Sequence, residues 1–166
     1  PKEKMNILLR NSQLADIPFM KEILYEAVFW RVDDKRPSFE EGSAYPGVIK
    51  SLADWGERDG DKAVVATHNE KPVGAAWYRY WTENNYIRGY MDDNVPVLVI
   101  GIRQDHRHKG IGTKMIESLI DQAKKSGIQK MSLMVSKDNY AINLYKQQGF
   151  LEYSDDEDSF TMVREI

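Results

Sequence analysis

The chain has 166 residues, a length that predicts one domain, residues 1–166. It contains 23 Lys and Arg and 26 Asp and Glu, and the resulting formal charge of −3 argues against a nucleic-acid or anionic-membrane partner. Cysteine is absent, which excludes disulfides and a thiol nucleophile and favours a cytoplasmic location. No apolar run approaches the roughly 20 residues of a membrane-spanning helix, and residues 1–5 lack an apolar signal core.

The first half of the chain predicts two helices and three strands. After a strand at 7–10, a helix begins at a cap-like Asp16, and a second helix is expected over 44–55 beyond a polar loop at 33–42. Residues 62–67 and 72–81 predict an antiparallel hairpin with a tight turn between them, in which His68 is a surface residue. The stretch 83–94 mixes aromatic and acidic residues without periodicity and is interpreted as a loop that closes over a ligand.

The stretch 95–126 has the features of an anion-binding site. An apolar, β-branched run at 95–102 predicts a buried strand, in which Gly101 indicates a bulge or a close backbone approach. A basic segment leads to Gly110-Ile111-Gly112, after which apolar residues recur at helical spacing. Unpaired N–H groups and the positive end of the helix dipole favour phosphate at such a helix start.

Spacing separates the phosphate-binding motifs that these glycines could belong to. A dinucleotide fingerprint needs a third glycine where Met115 stands, and a P-loop needs Lys-Ser/Thr directly after the second glycine. The remaining pattern, Arg/Gln-x-x-Gly-x-Gly/Ala over residues 107–112, resembles the pyrophosphate-binding loop of the GNAT superfamily of acetyl-CoA-dependent N-acetyltransferases. A second stretch, Asn139-Tyr140-Ala141-Ile142-Asn143-Leu144-Tyr145-Lys146-Gln147-Gln148-Gly149-Phe150, resembles the second motif of that superfamily.

Between and beyond these motifs, the chain predicts a helix stop at Gly127, a strand at 131–135, a helix at 139–148 and a final hairpin. The acidic turn of that hairpin, 155–158, is interpreted as solvated. The resemblance implies an α/β (α+β) three-layer sandwich around a mixed sheet, with element order β-α-α-β-β-β-α-β-α-β-β. It also implies that the two central parallel strands splay apart to admit pantetheine.

The resemblance implies acetyl-CoA as cosubstrate and assigns most of the binding residues. The expected acetyl-CoA-binding residues are Ile100, Gly101, Ile102, Arg107, His108, Lys109, Gly110, Ile111, Gly112, Thr113, Asn139 and Tyr145. Tyr145 is also expected to act as general acid on the thiolate, with packing of a buried aromatic as the alternative. Asn139 has an alternative role as a helix cap.

The acceptor side is less defined by the sequence. Trp30, Tyr86 and Tyr90 are candidates for binding an amine, although packing is an alternative for Trp30. Residues 95–102 contain no carboxylate, where many relatives carry a glutamate base. Three other carboxylates, Glu83, Asp92 and Asp93, are therefore considered as bases that act through water, and they favour a cationic acceptor.

The leading interpretation is transfer of an acetyl group to a primary amine of a small molecule or peptide, by direct transfer in a ternary complex. The alternative is a non-catalytic acyl-CoA-binding or regulatory module, since a fold does not guarantee chemistry. We expect no metal: His106 and His108 do not form a credible metal site, and a solvated or phosphate-facing position is expected for both. The protein is expected to be a monomer or a homodimer.

Overall fold

The computed structural model describes residues 6–166; the signal-core expectation for residues 1–5 therefore lies outside the described residues. The strands are β1 (Ile7–Asn11), β2 (Lys62–His68), β3 (Lys71–Arg79), β4 (Val97–Ile102), β5 (Lys130–Ser136), β6 (Leu151–Asp155) and β7 (Ser159–Glu165). The helices are α1 (Ile17–Val28), α2 (Phe39–Ser43), α3 (Pro46–Leu52), α4 (Ile111–Lys125) and α5 (Ala141–Gln147).

The seven strands form one mixed sheet in the order β1-β2-β3-β4-β5-β7-β6, in which only the β4–β5 pair is parallel. Helix α1 and the end of α3 pack on one face, where Ile23, Leu52 and Trp77 are buried. Helix α4 packs on the other face through residues such as Met115 and Leu119. The three-layer sandwich is therefore confirmed.

The helix predicted over 44–55 is found as the shorter α3, and a further short helix, α2, lies mostly in the segment predicted as a polar loop at 33–42. Ser38 caps α2, with its Oγ accepting a hydrogen bond from the Glu41 N–H at 3.1 Å. Tyr45 is extended, with ψ of 133°, because the residue before a proline is disfavoured in the helical region. Pro46 then starts α3. No helix within residues 6–166 is both long and apolar enough to cross a membrane.

Strands β4 and β5 form a fork, as the splayed strands of the prediction require. Their only register pair is Val97 with Ser132, beside which the Ser132 N–H donates to the Pro96 carbonyl at 3.0 Å. Gly89, from the loop before β4, lies at the base of the fork, and its carbonyl accepts a hydrogen bond from the Ser132 hydroxyl at 2.8 Å. Beyond this point the strands separate and open a cavity.

Gly101 allows a close backbone approach rather than a bulge. The β3–β4 register runs without a shift from Gly74–Ile102 to Arg79–Val97, so the bulge predicted in this strand is not found in that pairing. A Cβ on Gly101 would lie 2.7 Å from the Ile23 carbonyl oxygen of α1. Glycine is therefore needed here for α1 to pack against β4, which carries the cavity.

Candidate active site

A cavity of about 1600 Å³ runs along the fork between β4 and β5. Its walls come from the end of α1, from α3, from residues 86–88, from β4 and from the start of α4. The end of β5, helix α5 and the turn between β6 and β7 complete it. The motifs of the second half of the chain and parts of the first half therefore open on one space.

The start of α4 faces this cavity with unpaired backbone donors. Gly110 lies just before the helix in the left-handed region, with φ of 82°. The first helical hydrogen bond runs from the Lys114 N–H to the Gly110 carbonyl at 3.3 Å, so the N–H groups of residues 111–113 precede the helical ladder. A Cβ on Gly110 would meet no atom within 4 Å. This geometry suits a phosphate at the helix N-terminus.

The backbone of β4 offers a free edge to the same cavity. The Arg103 N–H donates to Val73 of β3 at 2.8 Å, whereas the Pro96 carbonyl bonds to β5. Because backbone groups of successive strand residues point to opposite sides, the N–H and C=O of Ile100 point away from β3. Residue pairing with β5 ends at Val97, so the described strands leave this edge at Ile100 unpaired.

Nearly all the residues expected to bind acetyl-CoA line the cavity. They are Ile100, Gly101, Ile102, Arg107, His108, Gly110, Ile111, Gly112, Thr113, Asn139 and Tyr145. Lys109 is the exception: its ammonium donates to the Asp105 carbonyl at 3.1 Å, and it is not part of the cavity wall. The structure therefore gives Lys109 no direct position for contact with a ligand in this cavity.

Arg107 is held by the protein's own groups. It donates to the backbone carbonyls of Ile102 and Trp30, each at 3.2 Å, and pairs with the Glu26 carboxylate at 3.2 Å. Burial lowers the pKa of Arg107, and the Glu26 carboxylate opposes that effect. Arg107 thus joins the end of α1 to the end of β4, and part of its charge is neutralised by Glu26.

Tyr145 is buried in the cavity wall, with 7% of its surface exposed, and packs edge-on against Phe150. Burial raises the pKa of its phenol above the usual value of about 10, so the hydroxyl keeps its proton at neutral pH. Nearby, the Asn139 side-chain oxygen accepts a hydrogen bond from the Ala141 N–H at 2.9 Å. Asn139 thus caps the start of α5, the role given above as the alternative to binding acetyl-CoA. Its side-chain oxygen makes this hydrogen bond, and its amide nitrogen does not.

On the acceptor side, Trp30 and Tyr86 line the cavity but Tyr90 does not. Tyr90 stacks on Tyr86 with ring centroids 5.0 Å apart and donates its hydroxyl proton to Asp93. That hydrogen bond is the main reason that the pKa of Tyr90 rises to about 12. Tyr90 therefore packs against Tyr86 outside the cavity wall, and Tyr86 is the residue of this pair that lines the cavity.

The carboxylates considered as bases are not brought to the cavity. Asp93 accepts hydrogen bonds from Tyr90 and from the Glu83 N–H, the latter at 3.1 Å, and Asp92 accepts one from the Asn94 N–H at 2.8 Å. Asp92 and Asp93 therefore fold the 83–94 loop, and neither they nor Glu83 form part of the cavity wall. Their positions remove the reason for expecting a cationic acceptor.

Several cavity residues were not found from the sequence. Arg31 and Asp138 form a bidentate ion pair, with Nη2–O distances of 2.6 and 2.7 Å, between the end of α1 and the start of the second motif. Lys50 and Arg88 also line the cavity, as do Glu157 and Asp158 of the acidic turn. That turn is exposed, as predicted, but it also borders the site. No local pattern marks these residues, because they come from a helix and several loops that are far apart in the sequence.

His68 and His106 are placed differently from the prediction. His68 Nδ1 lies 3.1 Å from His106 Nε2, and His106 Nδ1 lies 2.8 Å from the Asp105 carboxylate. His106 is largely covered, with its side chain 16% exposed. The pair joins the end of β2 to the loop before α4, so neither histidine is a freely solvated or phosphate-facing residue.

The comparison with known families agrees with this geometry. The sequence model of the Acetyltransferase (GNAT) family matches residues 24–150. The chain belongs to the GNAT family. This GNAT protein is therefore an acyltransferase, and the region of the match includes α4, the fork and Tyr145.

The chain is also similar in sequence to a known acetyltransferase and in fold to solved acetyltransferase structures. The L-methionine sulfoximine/L-methionine sulfone acetyltransferase of Pseudomonas aeruginosa is 27% identical over 148 residues, which are 88% of this chain and 81% of the relative. The PaiA N-acetyltransferase of Thermoplasma acidophilum, solved with coenzyme A, shares the fold with a TM-score of 0.67 at 17% identity, over 98% of this chain and 100% of that one. YncA of Salmonella typhimurium, solved with acetyl-CoA, has a TM-score of 0.66 at 21% identity over 96% and 93% of the two chains.

Proposed function

We propose that this GNAT protein transfers the acetyl group of acetyl-CoA to a primary amine, by direct transfer while both substrates are bound. The observation that carries the proposal is that the glycine turn, the free edge of β4 and Tyr145 open on one cavity. Described elements from both halves of the chain share one sheet, which supports a single domain. Cysteine is absent, so no thiol is available for an acyl-enzyme route.

The residues present fit acetyl-CoA. The N–H groups of residues 111–113 would hold the pyrophosphate, and the open space at Gly110 would let it approach the backbone. The Ile100 edge would hydrogen-bond pantetheine as an added strand. Acetyl-CoA, when bound, supplies a thioester that is activated for attack by an amine. Holding both reactants in this way can remove about 7–11 kcal/mol of a bimolecular barrier.

Two groups on the cavity wall are suited to the transfer itself. The Ile100 N–H points into the fork and would stabilise negative charge on the thioester oxygen. Tyr145 would donate its proton to the leaving thiolate, and its raised pKa keeps that proton in place until transfer. The alternative role of Tyr145, packing alone, would leave the rate unchanged when the hydroxyl is removed.

The amine must lose a proton, and the cavity carboxylates differ in whether they are free to accept it. Glu26 and Asp138 are paired with arginines at 3.2 and 2.6 Å. Glu157 and Asp158 form no ion pair within residues 6–166, so we assign proton acceptance, through water, to these two. Changing both to amides should lower kcat/KM at neutral pH about tenfold or more. A parental kcat/KM in the folded double variant would contradict this assignment.

The name of the Pseudomonas relative gives a starting point for the acceptor, because it describes an amino-acid derivative with a free amine. The proposal is tested by a steady-state screen of amines, including L-methionine sulfone, with thiol release as the readout. Intersecting initial-rate lines are expected for a ternary complex. If acetyl-CoA binds but no amine in the screen causes release of the coenzyme A thiol, the binding-module alternative is favoured. Parallel initial-rate lines would contradict direct transfer.

A further inference from the structure

The cationic side chains of the cavity differ in whether the protein neutralises them. Arg107 pairs with Glu26, Arg31 with Asp138, and Lys137 with Asp155 at 3.2 Å. These three charges are therefore largely occupied without a ligand. Arg107 and Lys137 also lie within or near the motifs of the acetyl-CoA side in sequence, and Arg31 joins the second motif through Asp138.

Lys50 and Arg88 differ from those three. Within residues 6–166, no carboxylate lies within ion-pair distance of the Lys50 ammonium, which lies 5.7 Å from the centre of the Tyr86 ring. Arg88 donates to the Ser159 hydroxyl at 2.6 Å, and its nearest carboxylate oxygen, of Asp156, is 3.6 Å away and well exposed. Exposed pairs of this kind contribute little, so Arg88 keeps most of its capacity to bind an anion.

The two cations share one end of the cavity. Arg88 follows Tyr86 by two residues, and Lys50 reaches the Tyr86 ring from α3. Tyr86 itself is stacked on Tyr90 and so is held in place. Tyr86 thus contacts an uncompensated ammonium, and a weakly paired guanidinium follows it by two residues in a loop that lines the same cavity.

This end is remote from the phosphate side of the cavity. A Cβ on Gly89, next to Arg88, would lie 3.1 Å from a Val97 methyl, whereas one on Gly112 would lie 3.5 Å from an Ile102 methyl. Val97 and Ile102 are the two ends of β4, about 16 Å apart at about 3.3 Å per residue. A pyrophosphate at the start of α4 therefore does not reach Lys50 and Arg88.

We propose that Lys50 and Arg88 bind a carboxylate of the acceptor, so that the amine substrates of this protein are amino acids or close analogues. The inference rests on the proposed acetyl transfer and names the acceptor class. An α-amino acid bound in this way would have its carboxylate near Tyr86. Its amine would then lie toward the fork and the acidic turn, which borders the same cavity. Tyr86 is 52% exposed and the Arg88 side chain 60% exposed, so a ligand can reach both from solvent.

The test compares matched acceptors and matched variants. Initial rates are measured with L-methionine sulfone, its carboxamide and its decarboxylated amine. The variants are Lys50→Met, Arg88→Gln and, as control, Lys124→Met, which removes an exposed lysine of α4 outside the cavity. We expect a kcat/KM at least tenfold higher for the carboxylate acceptor, a tenfold or greater rise in its KM in the Lys50 and Arg88 variants, and no change in the control. The KM values of the carboxamide and of the decarboxylated amine, which lack the carboxylate, should be unaffected by either substitution.

Calorimetry separates failure of this inference from failure of the proposed function. Binding of N-acetyl-L-methionine sulfone in the presence of coenzyme A is measured for the same variants, since it needs no turnover. Carboxylate-dependent binding that weakens in both variants supports the subsite even in a protein that acetylates none of the amines. Equal kcat/KM for all three acceptors, unchanged KM in both variants, or no binding of the carboxylate ligand would overturn the subsite.

Discussion

The two ends of α4 allow the phosphate role of Gly110 to be tested with a matched control. Gly110 precedes the helix with φ of 82°, and Gly127 follows it with φ of 76°. A Cβ at either position would meet no atom within 4 Å. The same substitution, glycine to valine, therefore introduces similar backbone strain at both ends without a steric clash.

The expected magnitudes follow from that comparison. A side chain in the left-handed region costs about 1–2 kcal/mol, and slightly more is expected for a β-branched residue. In a chain of this size each kcal/mol lowers Tm by about 2–4 °C, so both variants should melt a few degrees below the parent. Only Gly110→Val places methyl groups at the donors of the α4 N-terminus. It should weaken acetyl-CoA binding at least tenfold, which is about 1.4 kcal/mol.

The assay combines thermal melting with isothermal calorimetry of acetyl-CoA for the parent and both variants. Similar losses of Tm with weakened binding in Gly110→Val alone would support the phosphate site. Parental affinity in a folded Gly110→Val, or equal weakening in both variants, would refute the reasoning. Gly112 is a poorer probe than Gly110, because a Cβ there would lie 2.9 Å from a Leu144 methyl of α5.

Two further predictions concern the side chains of the cavity. Tyr145→Phe should lower kcat about 10²-fold. Tm and acetyl-CoA affinity should change little, because the ring is kept and the Tyr145 hydroxyl donates no hydrogen bond within residues 6–166. Tyr153→Phe, on exposed β6, is the control. A parental rate with chemistry limiting would remove Tyr145 from the mechanism. Trp30→Ala and Tyr86→Ala should each raise the KM of the amine and leave acetyl-CoA affinity nearly unchanged. Equal loss for both substrates would indicate general damage instead.

The local patterns in the sequence were sufficient for most of the fold. Residues with a period of two predicted β5, and apolar residues at helical spacing predicted α4, because each of these elements buries one regular face. Helix α2, which lies mostly in the predicted polar loop at 33–42, was not predicted, and the bounds predicted for α3 were too wide at both ends. The Ser38-x-x-Glu41 pattern and Pro46 are the local signals that could have placed the starts of α2 and α3.

The nucleotide side of the site could be predicted because its residues are close in sequence. The residues from Ile100 to Thr113 form one strand, one turn and one helix start, so a local motif describes their arrangement in space. Their exposure to one cavity follows from the same local geometry. Only Lys109 departs from the expectation, because its side chain returns to the backbone of its own loop.

The acceptor side was decided by tertiary structure. Lys50 contacts the Tyr86 ring because α3 lies beside the loop before β4. Arg88 from that loop and Glu157 from a distant hairpin line the same cavity. By itself the sequence determined the family, the fold and the strand, turn and helix start proposed to hold acetyl-CoA, all of which depend on short-range patterns. Which charges remain unpaired in the cavity depends on ion pairs between residues as far apart as Arg31 and Asp138, and those form only when the chain has folded.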